Sequence, residues 1–149
     1  RLACVGLSVG GYRSFMLAVL DERIRAAGAV GWMTSFASQL RRHTMNTMGL
    51  GFTIPGMYRH FDLPDLAAAI APRSVLVMNG TKDGLFQLDG VKAAFAKIAR
   101  CYDKARAPRN QECRFYDVPH QFNAEMQGYA WEWLAKHLSG GMSEPKKPA

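Results

Sequence analysis

The chain has 149 residues, of which 48% are hydrophobic and 21% are charged, a composition typical of one globular domain with its own core. Its apolar runs are too short for a membrane-spanning helix. The net charge is +7, but the basic residues are scattered without interleaved aromatic residues, which argues against nucleic-acid binding. The three cysteines lack metal-ligand spacing, and free thiols are favoured over a Cys101–Cys113 bridge.

The first part of the chain predicts two strands and two helices. Arg1–Leu7 is short and apolar and ends near glycine, so it is predicted to be a buried strand. Val9–Arg23 has apolar residues at helical spacing, and Ile24–Met33 is the next strand candidate. Ser35–Met45 is predicted to be a helix, followed by a loop rich in methionine and glycine.

The second part continues the alternation. Pro64 and Asp65 mark the start of a short helix, and Pro72 lies just past its end. The later predicted elements are a strand at Ser74–Asn79, a helix at Leu88–Ala105, a strand at Glu112–Val118 and a helix at Ala124–Leu138. Residues 1–138 then form the domain, and residues 139–149 form a flexible tail. This alternation predicts an α/β fold with a parallel sheet flanked by helices.

One serine stands where the first strand meets the first helix. The stretch "GLSVGG" fits the G-x-S-x-G pattern around Ser8, in which a tight turn lifts the hydroxyl above the sheet edge. At Gly6 and Gly10 the backbones of the strand and the helix are predicted to approach so closely that a side chain would not fit. The Val9 N–H, at the start of the helix, would face an oxyanion formed at an attacked carbonyl.

A serine hydroxyl needs a base to remove its proton and an acid to orient that base. Asp83 follows the strand "SVLVMN", and His120 follows the strand that contains "CRFYD". The chain order Ser, Asp, His matches the order used with this motif. Because the carboxyl ends of parallel strands meet at one sheet edge, we expect Ser8, Asp83 and His120 to meet there.

Other residues compete for these roles. His43 and His60 precede the acid, which is the wrong order, and His137 lies late in the last helix. Asp89 is expected in the first turn of a helix, and Asp117 is expected inside a strand. Each is therefore a weaker candidate for the base or the acid.

The stretches "CVGLSVGGYRS", "VLVMNGTKD" and "DVPHQF" together resemble the α/β-hydrolase superfamily. More narrowly, "GWMT" and "DLPDLAAAIAPRSVLVMNGTKDGLF" are similar to its dienelactone-hydrolase-like and acetylxylan-esterase-like branch. The resemblance implies Ser8 as nucleophile, Asp83 as acid, His120 as base and Val9 as an oxyanion donor. It also implies that the strands normally preceding the Ser8 strand are lacking, so the chain looks like the C-terminal half of the fold.

The resulting hypothesis is a serine esterase that cleaves short acyl or carbohydrate acetyl esters through an acyl-enzyme. No metal or cofactor is implied. A prolyl-oligopeptidase-type peptidase and a non-catalytic fragment that acts as an interaction module are the alternatives. We also expect the bare Ser8 strand to pair with a missing N-terminal half or with a second copy of the chain.

The substrate pocket is expected to include two residues just past the second strand. Trp32 and Met33 are predicted to line it, and for Met33 a plain core position is nearly as well supported. A cap over the site is expected from four apolar residues of the irregular segment, namely Phe36, Met45, Met48 and Phe52.

Overall fold

The computed structural model describes residues 1–42 and 54–139. In these residues four strands form a sheet in the order β1-β2-β3-β4, and every neighbouring pair is parallel. The strands are β1 (Leu2–Leu7), β2 (Ile24–Val30), β3 (Ser74–Gly80) and β4 (Gln111–Tyr116). The predicted parallel α/β sheet is confirmed, and all four carboxyl ends lie at one edge.

Helices cover both faces of this sheet. They are α1 (Val9–Leu20), α2 (Phe36–Arg42), α3 (Ala67–Ile70), α4 (Leu88–Lys104) and α5 (Ala124–Ser139). Helices α1 to α4 contribute to the core on one face, whereas α5 packs on the other. Right-handed crossovers that run in one direction along the sheet place α1 to α4 on the same face, and α5, which follows the last strand, covers the other face.

Strand β3 shows why both faces need a helical layer. Its seven residues are all buried. Val75 and Val77 point into the core under α1 to α4, whereas Leu76 and Met78 point toward α5. Successive side chains on a strand alternate between faces, so a strand with apolar residues at every position must be covered on both sides.

Several helix and strand boundaries in the structure differ from the predicted ones. Helix α1 ends at Leu20 and not at Arg23, and strand β2 ends at Val30 and not at Met33. Leu20, one of the apolar residues at helical spacing in Val9–Arg23, is 78% exposed. Asp117, predicted inside a strand, lies in the bend that follows β4. The ends of elements are the positions that a sequence pattern fixes least well, because the pattern can run on past the regular backbone pairing.

Other predictions hold. The helix predicted at Leu88–Ala105 has five apolar residues at helical spacing on one face, and all five lie in the core, namely Val91, Ala94, Phe95, Ile98 and Tyr102. The short helix predicted near Pro64 forms as a 3-10 turn at Leu63–Leu66 that continues into α3, and an Asp62–Asp65 capping box closes its start. All three cysteines carry free thiols.

The surface of the described chain has two further features that bear on function. Within residues 1–42 and 54–139, no helix has the length and apolarity needed to cross a bilayer. Strand β1 lies at an edge of the sheet, next to β2 alone. Leu2, Leu17 and Leu20, on β1 and α1, are 51%, 45% and 78% exposed, so this end of the domain presents apolar side chains.

Candidate active site

The turn between β1 and α1 holds Ser8 in an unusual conformation. Its φ is 56° and its ψ is −119°, a region that residues with a side chain rarely occupy. Serine at the start of a helix usually caps it with its hydroxyl, but the Ser8 side chain makes no capping hydrogen bond. The turn therefore costs backbone strain and leaves the hydroxyl unused for helix capping.

Close packing of backbones makes this turn possible. A Cβ atom on Gly6 would lie 2.4 Å from the carbonyl carbon of Gly10, so the strand and the helix touch as predicted. The prediction for Gly10 itself is wrong, because a Cβ atom there meets nothing within 4 Å in the described chain. The helix position that must be small is Gly11, where a Cβ atom would lie 2.9 Å from the Gly6 oxygen.

Asp83 and His120 are in direct contact. His120 Nδ1 lies 2.7 Å from Asp83 Oδ2, and the other oxygen, Oδ1, accepts a hydrogen bond from the Leu85 N–H at 2.9 Å. The Asp83 side chain is fully buried, whereas the His120 side chain is 22% exposed. A carboxylate held in this way on two sides can fix one ring nitrogen of a histidine and leave the other free to act.

The loops that carry these two residues are joined by backbone hydrogen bonds. The Thr81 N–H donates to the Tyr116 carbonyl at 2.8 Å, and the Lys82 N–H donates to the Val118 carbonyl at 3.1 Å. Gly80 allows this approach, because a Cβ atom there would lie 2.1 Å from the Val118 oxygen. The pairing of β3 with β4 thus continues past the strands.

Ser8 and His120 both lie against the carboxyl end of β2. The Ser8 N–H donates to the Val30 carbonyl at 2.8 Å. At the next residue, a Cβ atom on Gly31 would lie 3.1 Å from Cε1 of His120, so the imidazole ring packs on that backbone. The structure therefore brings Ser8, Asp83 and His120 to the same edge, beyond the ends of β1, β3 and β4.

The competing acids have other partners. Asp117 lies between the same loops but accepts hydrogen bonds from Lys82 Nζ and Thr81 Oγ1 at 2.8 and 3.0 Å. The bond from Lys82 is the main reason that the pKa of Asp117 lies below its usual range. Asp89 lies in the first turn of α4, as expected, and accepts from the Gly90 N–H at 2.8 Å.

The competing histidines lie elsewhere. His60 is exposed and ends a 3-10 turn at Met57–Arg59. His137 stacks on Trp133 in α5, and its Nδ1 lies 2.8 Å from the Trp133 carbonyl oxygen. His43 lies outside the described residues.

The expected oxyanion donor lies at the start of α1, and the two expected pocket residues are buried. Val9 is the first residue of α1 and is 37% exposed. Its N–H is one of the first four in the helix, which have no carbonyl partner within the helix. Trp32 and Met33 are 2% and 0% exposed and belong to the core, which fits the core position left open for Met33. A pocket role for Trp32 stays a prediction.

The expected cap is only partly within the described chain. Phe36 is 8% exposed and stacks on Tyr58, with ring centroids 3.5 Å apart. Met45, Met48 and Phe52 lie outside the described residues.

Sequence reasoning missed three contributors to the site. Gln39 of α2 donates a hydrogen bond from Nε2 to the Leu85 carbonyl at 2.8 Å, and the Leu85 N–H holds Asp83. Gly80 provides the space for the histidine loop. Of the three, only Gly80 had a signal in the sequence, as a glycine directly after an apolar strand. No sequence pattern around Gln39 or Leu85 predicts their contacts.

In the part of the chain that the structure describes, no group of three or more His, Cys, Asp or Glu side chains is arranged to hold a metal ion.

Solved structures show the same fold. A recombinant glucuronoyl esterase from Sporotrichum thermophile superposes with a TM-score of 0.73 at 20% identity, covering 95% of this chain and 44% of that one. A family 15 carbohydrate esterase, a glucuronoyl esterase from Caldicellulosiruptor kristjansonii, gives 0.70 at 17% identity, covering 92% and 43%. The sheet, the helices and these superpositions define an α/β-hydrolase fold.

The sequence comparison specifies the family. The model of the Abhydrolase family matches residues 13–143, which include Asp83 and His120. The chain therefore belongs to the Abhydrolase family. A curated relative, "Putative hydrolase YtaP" of Bacillus subtilis (strain 168), is 24% identical over 102 residues, which is 68% of this chain and 34% of that protein. The chain thus spans about a third of this relative and less than half of both esterase structures.

Proposed function

We propose that the protein is a serine hydrolase that cleaves carboxylic esters through an acyl-enzyme, with Ser8, Asp83 and His120 as its catalytic triad. The observation that carries the proposal is the pairing of two unusual features at one sheet edge. Ser8 is held at φ 56° without capping the helix, and a buried aspartate holds the ring of His120 nearby. A serine in an ordinary turn would explain neither the strained backbone of Ser8 nor the contact between Asp83 and His120.

The proposed steps follow from which ring nitrogen of His120 is held by Asp83. Asp83 occupies the Nδ1 side of His120, so Nε2 is the nitrogen that takes the hydroxyl proton. The Ser8 oxygen attacks the ester carbonyl as that proton leaves. Collapse of the tetrahedral intermediate expels the alcohol, which takes the proton from Nε2. Water then attacks the acyl carbonyl while His120 takes its proton, and collapse of the second tetrahedral intermediate releases the carboxylic acid and returns the proton to the Ser8 oxygen.

The oxyanion of each tetrahedral intermediate is proposed to lie against the Val9 N–H. This N–H opens α1, where the helix dipole favours negative charge. One such donor is worth roughly 3 kcal/mol in the transition state, or a factor of about a hundred in rate. In the family that the chain resembles, a second donor usually comes from a loop that precedes the nucleophile strand.

The proposed substrates are short acyl esters and esters of carbohydrates. The superposed solved structures are described as glucuronoyl esterases, and they share the fold of this chain at low sequence identity. This likeness supports an ester before a peptide as the first substrate to test. It favours neither an acetyl ester nor a uronic acid ester among the carbohydrate esters.

Labelling with a fluorophosphonate probe tests the nucleophile in the full-length protein. The probe should form one adduct, and mass spectrometry should locate it on Ser8. Hydrolysis of p-nitrophenyl acetate, acetylated xylan and a methyl uronate ester, beside a proline-containing peptide panel, then tests the substrate class. Turnover of esters but not peptides is the expected result.

Two outcomes would contradict the proposal. An adduct on a serine other than Ser8 would remove it as the nucleophile. Full labelling of a His120→Ala variant would show that the reaction does not need the proposed base. Ser139→Ala is a matched control, because Ser139 lies at the end of α5, where Arg1 at the amino end of β1 donates to the Leu138 carbonyl, opposite the edge that carries Ser8.

A further inference from the structure

A line of hydrogen bonds leads from helix α2 to the proposed catalytic base. Gln39 Nε2 donates to the Leu85 carbonyl at 2.8 Å. The Leu85 N–H donates to Asp83 Oδ1 at 2.9 Å, and Asp83 Oδ2 lies 2.7 Å from His120 Nδ1. Leu85 is thus held on both sides, by the glutamine at its carbonyl and by the carboxylate at its N–H.

Burial of Gln39 fixes the direction in which its amide donates. Gln39 is 1% exposed, although glutamine is rarely so deeply buried. Its amide therefore exchanges no hydrogen bonds with bulk water, and removal of the donor would leave the Leu85 carbonyl without this partner. Leu85 is itself 36% exposed, so its carbonyl can bond to water in place of the glutamine, and the effect to expect is a less firmly oriented Leu85 peptide.

Helix α2 is itself anchored, so it can position what it touches. Asp62 accepts hydrogen bonds from Ser35 Oγ at 2.7 Å and from the Phe36 N–H at 2.9 Å, where the helix begins. The Ser35 N–H also donates to the Gly90 carbonyl, in the first turn of α4, at 3.0 Å. Gln39 thus projects from a helix that is tied to two other segments of the domain.

We infer that Gln39 is a positioning residue for Asp83. It holds the Leu85 peptide so that the Leu85 N–H can fix one carboxylate oxygen and aim the other at His120. The inference rests on the proposed function, since the orientation of His120 matters for catalysis only if His120 is the base. Gln39 itself touches neither His120 nor the reacting serine in the bonds described above.

The test compares Gln39→Met, which keeps the length of the side chain and removes the donor, with Ser38→Ala as the matched control on the same helix. Two readouts need no turnover. They are the low-field proton signal of His120 Nδ1–H and deuterium uptake in the peptide that contains residues 83–86, both measured in the full-length protein. Esterase kinetics give the third readout.

Gln39→Met should broaden or shift the low-field signal and raise deuterium uptake about tenfold. The kcat should fall by about tenfold with KM unchanged, because the substrate contacts are intact. Ser38→Ala should match the parent in all three. If Gln39→Met does not fold, Gln39→Leu serves instead, since it also lacks a donor for the Leu85 carbonyl and buries no charge.

An unchanged proton signal and unchanged deuterium uptake in the folded variant would overturn the inference. Failure of the proposed function looks different. A parent protein that hydrolyses no ester and takes up no fluorophosphonate would end the esterase proposal, while the two spectroscopic readouts would still decide whether Gln39 holds Asp83.

Discussion

The carbonyl oxygen of Gly6 lies 2.9 Å from the point where a Cβ atom on Gly11 would stand. The same added atom would lie 3.0 Å from the nitrogen of Val30, so helix α1 rests on two strands at once. Real Cβ atoms rarely approach backbone so closely. The position of Ser8 above the sheet therefore depends on the absence of a side chain at Gly11.

Gly11→Ala should destabilise the fold, whereas Gly10→Ala should not. The first change forces the helix away from the sheet, at an expected cost of about 1–3 kcal/mol in the free energy of unfolding. The second places a methyl group where nothing lies within 4 Å and gains about 0.5 kcal/mol from better helix propensity. Urea unfolding of the two variants measures the difference. A larger loss at Gly10 than at Gly11 would contradict this assignment.

Ser8→Gly should remove ester hydrolysis and stabilise the protein. Glycine adopts a φ of 56° without strain, so the variant should gain about 1 kcal/mol over Ser8→Ala. Both variants lack the hydroxyl, and neither loses a helix cap, because the Ser8 side chain provides none. Thermal unfolding compares the two. Equal stability of the alanine and glycine variants would mean that the turn carries no strain.

Asparagine substitutions at three acidic residues near the site should lower the activity to different degrees. Asp83→Asn should lower kcat by about 10⁴, because the amide favours the wrong tautomer of His120. Asp117→Asn should cost much less, since Asp117 bonds to Lys82 and Thr81 on the exposed side of the loops. Asp89→Asn serves as the control and should have the smallest effect. Steady-state kinetics on one ester give the ranking, and a larger loss at Asp89 than at Asp83 would reverse the assignment.

Cys113 should resist alkylation in the folded protein. Burial raises the pKa of its thiol to about 12, so little of the reactive thiolate exists at about pH 8. Burial also raises the pKa of Cys4 and of Cys101. Iodoacetamide should therefore label Cys113 slowly in the native state and quickly in denaturant, as followed by peptide mass spectrometry. Labelling of Cys113 at the same rate in both states would contradict the expected burial.

The 149-residue chain by itself should not be a stable monomer. Strand β1 is an edge strand with an apolar sequence, and nearby Leu17 and Leu20 are 45% and 78% exposed. Such an edge favours pairing with another strand, from an N-terminal segment or a second copy. Size-exclusion chromatography with light scattering should show self-association, and activity should be weak. A monomer with full esterase turnover would refute this expectation.

The sequence alone was sufficient for the class of fold and the order of the elements. Apolar runs such as Ser74–Asn79 and the helical stripe of α4 are local patterns, and local patterns dictate whether a segment is strand or helix. The same patterns placed Ser8, Asp83 and His120 after strands. Parallel strands share one carboxyl edge, so their common location followed from topology without any knowledge of distances.

Only the tertiary structure decided which small residues and which polar contacts serve that edge. Gly10 and Gly11 are adjacent and identical in type, yet only Gly11 faces the sheet, because the exact rotation of α1 sets which position meets Val30. Gln39 and Leu85 are far apart in sequence, and their hydrogen bond depends on how α2 docks beside the Asp83 turn. Such contacts depend on the packing of whole elements, which a single sequence does not encode in any local pattern.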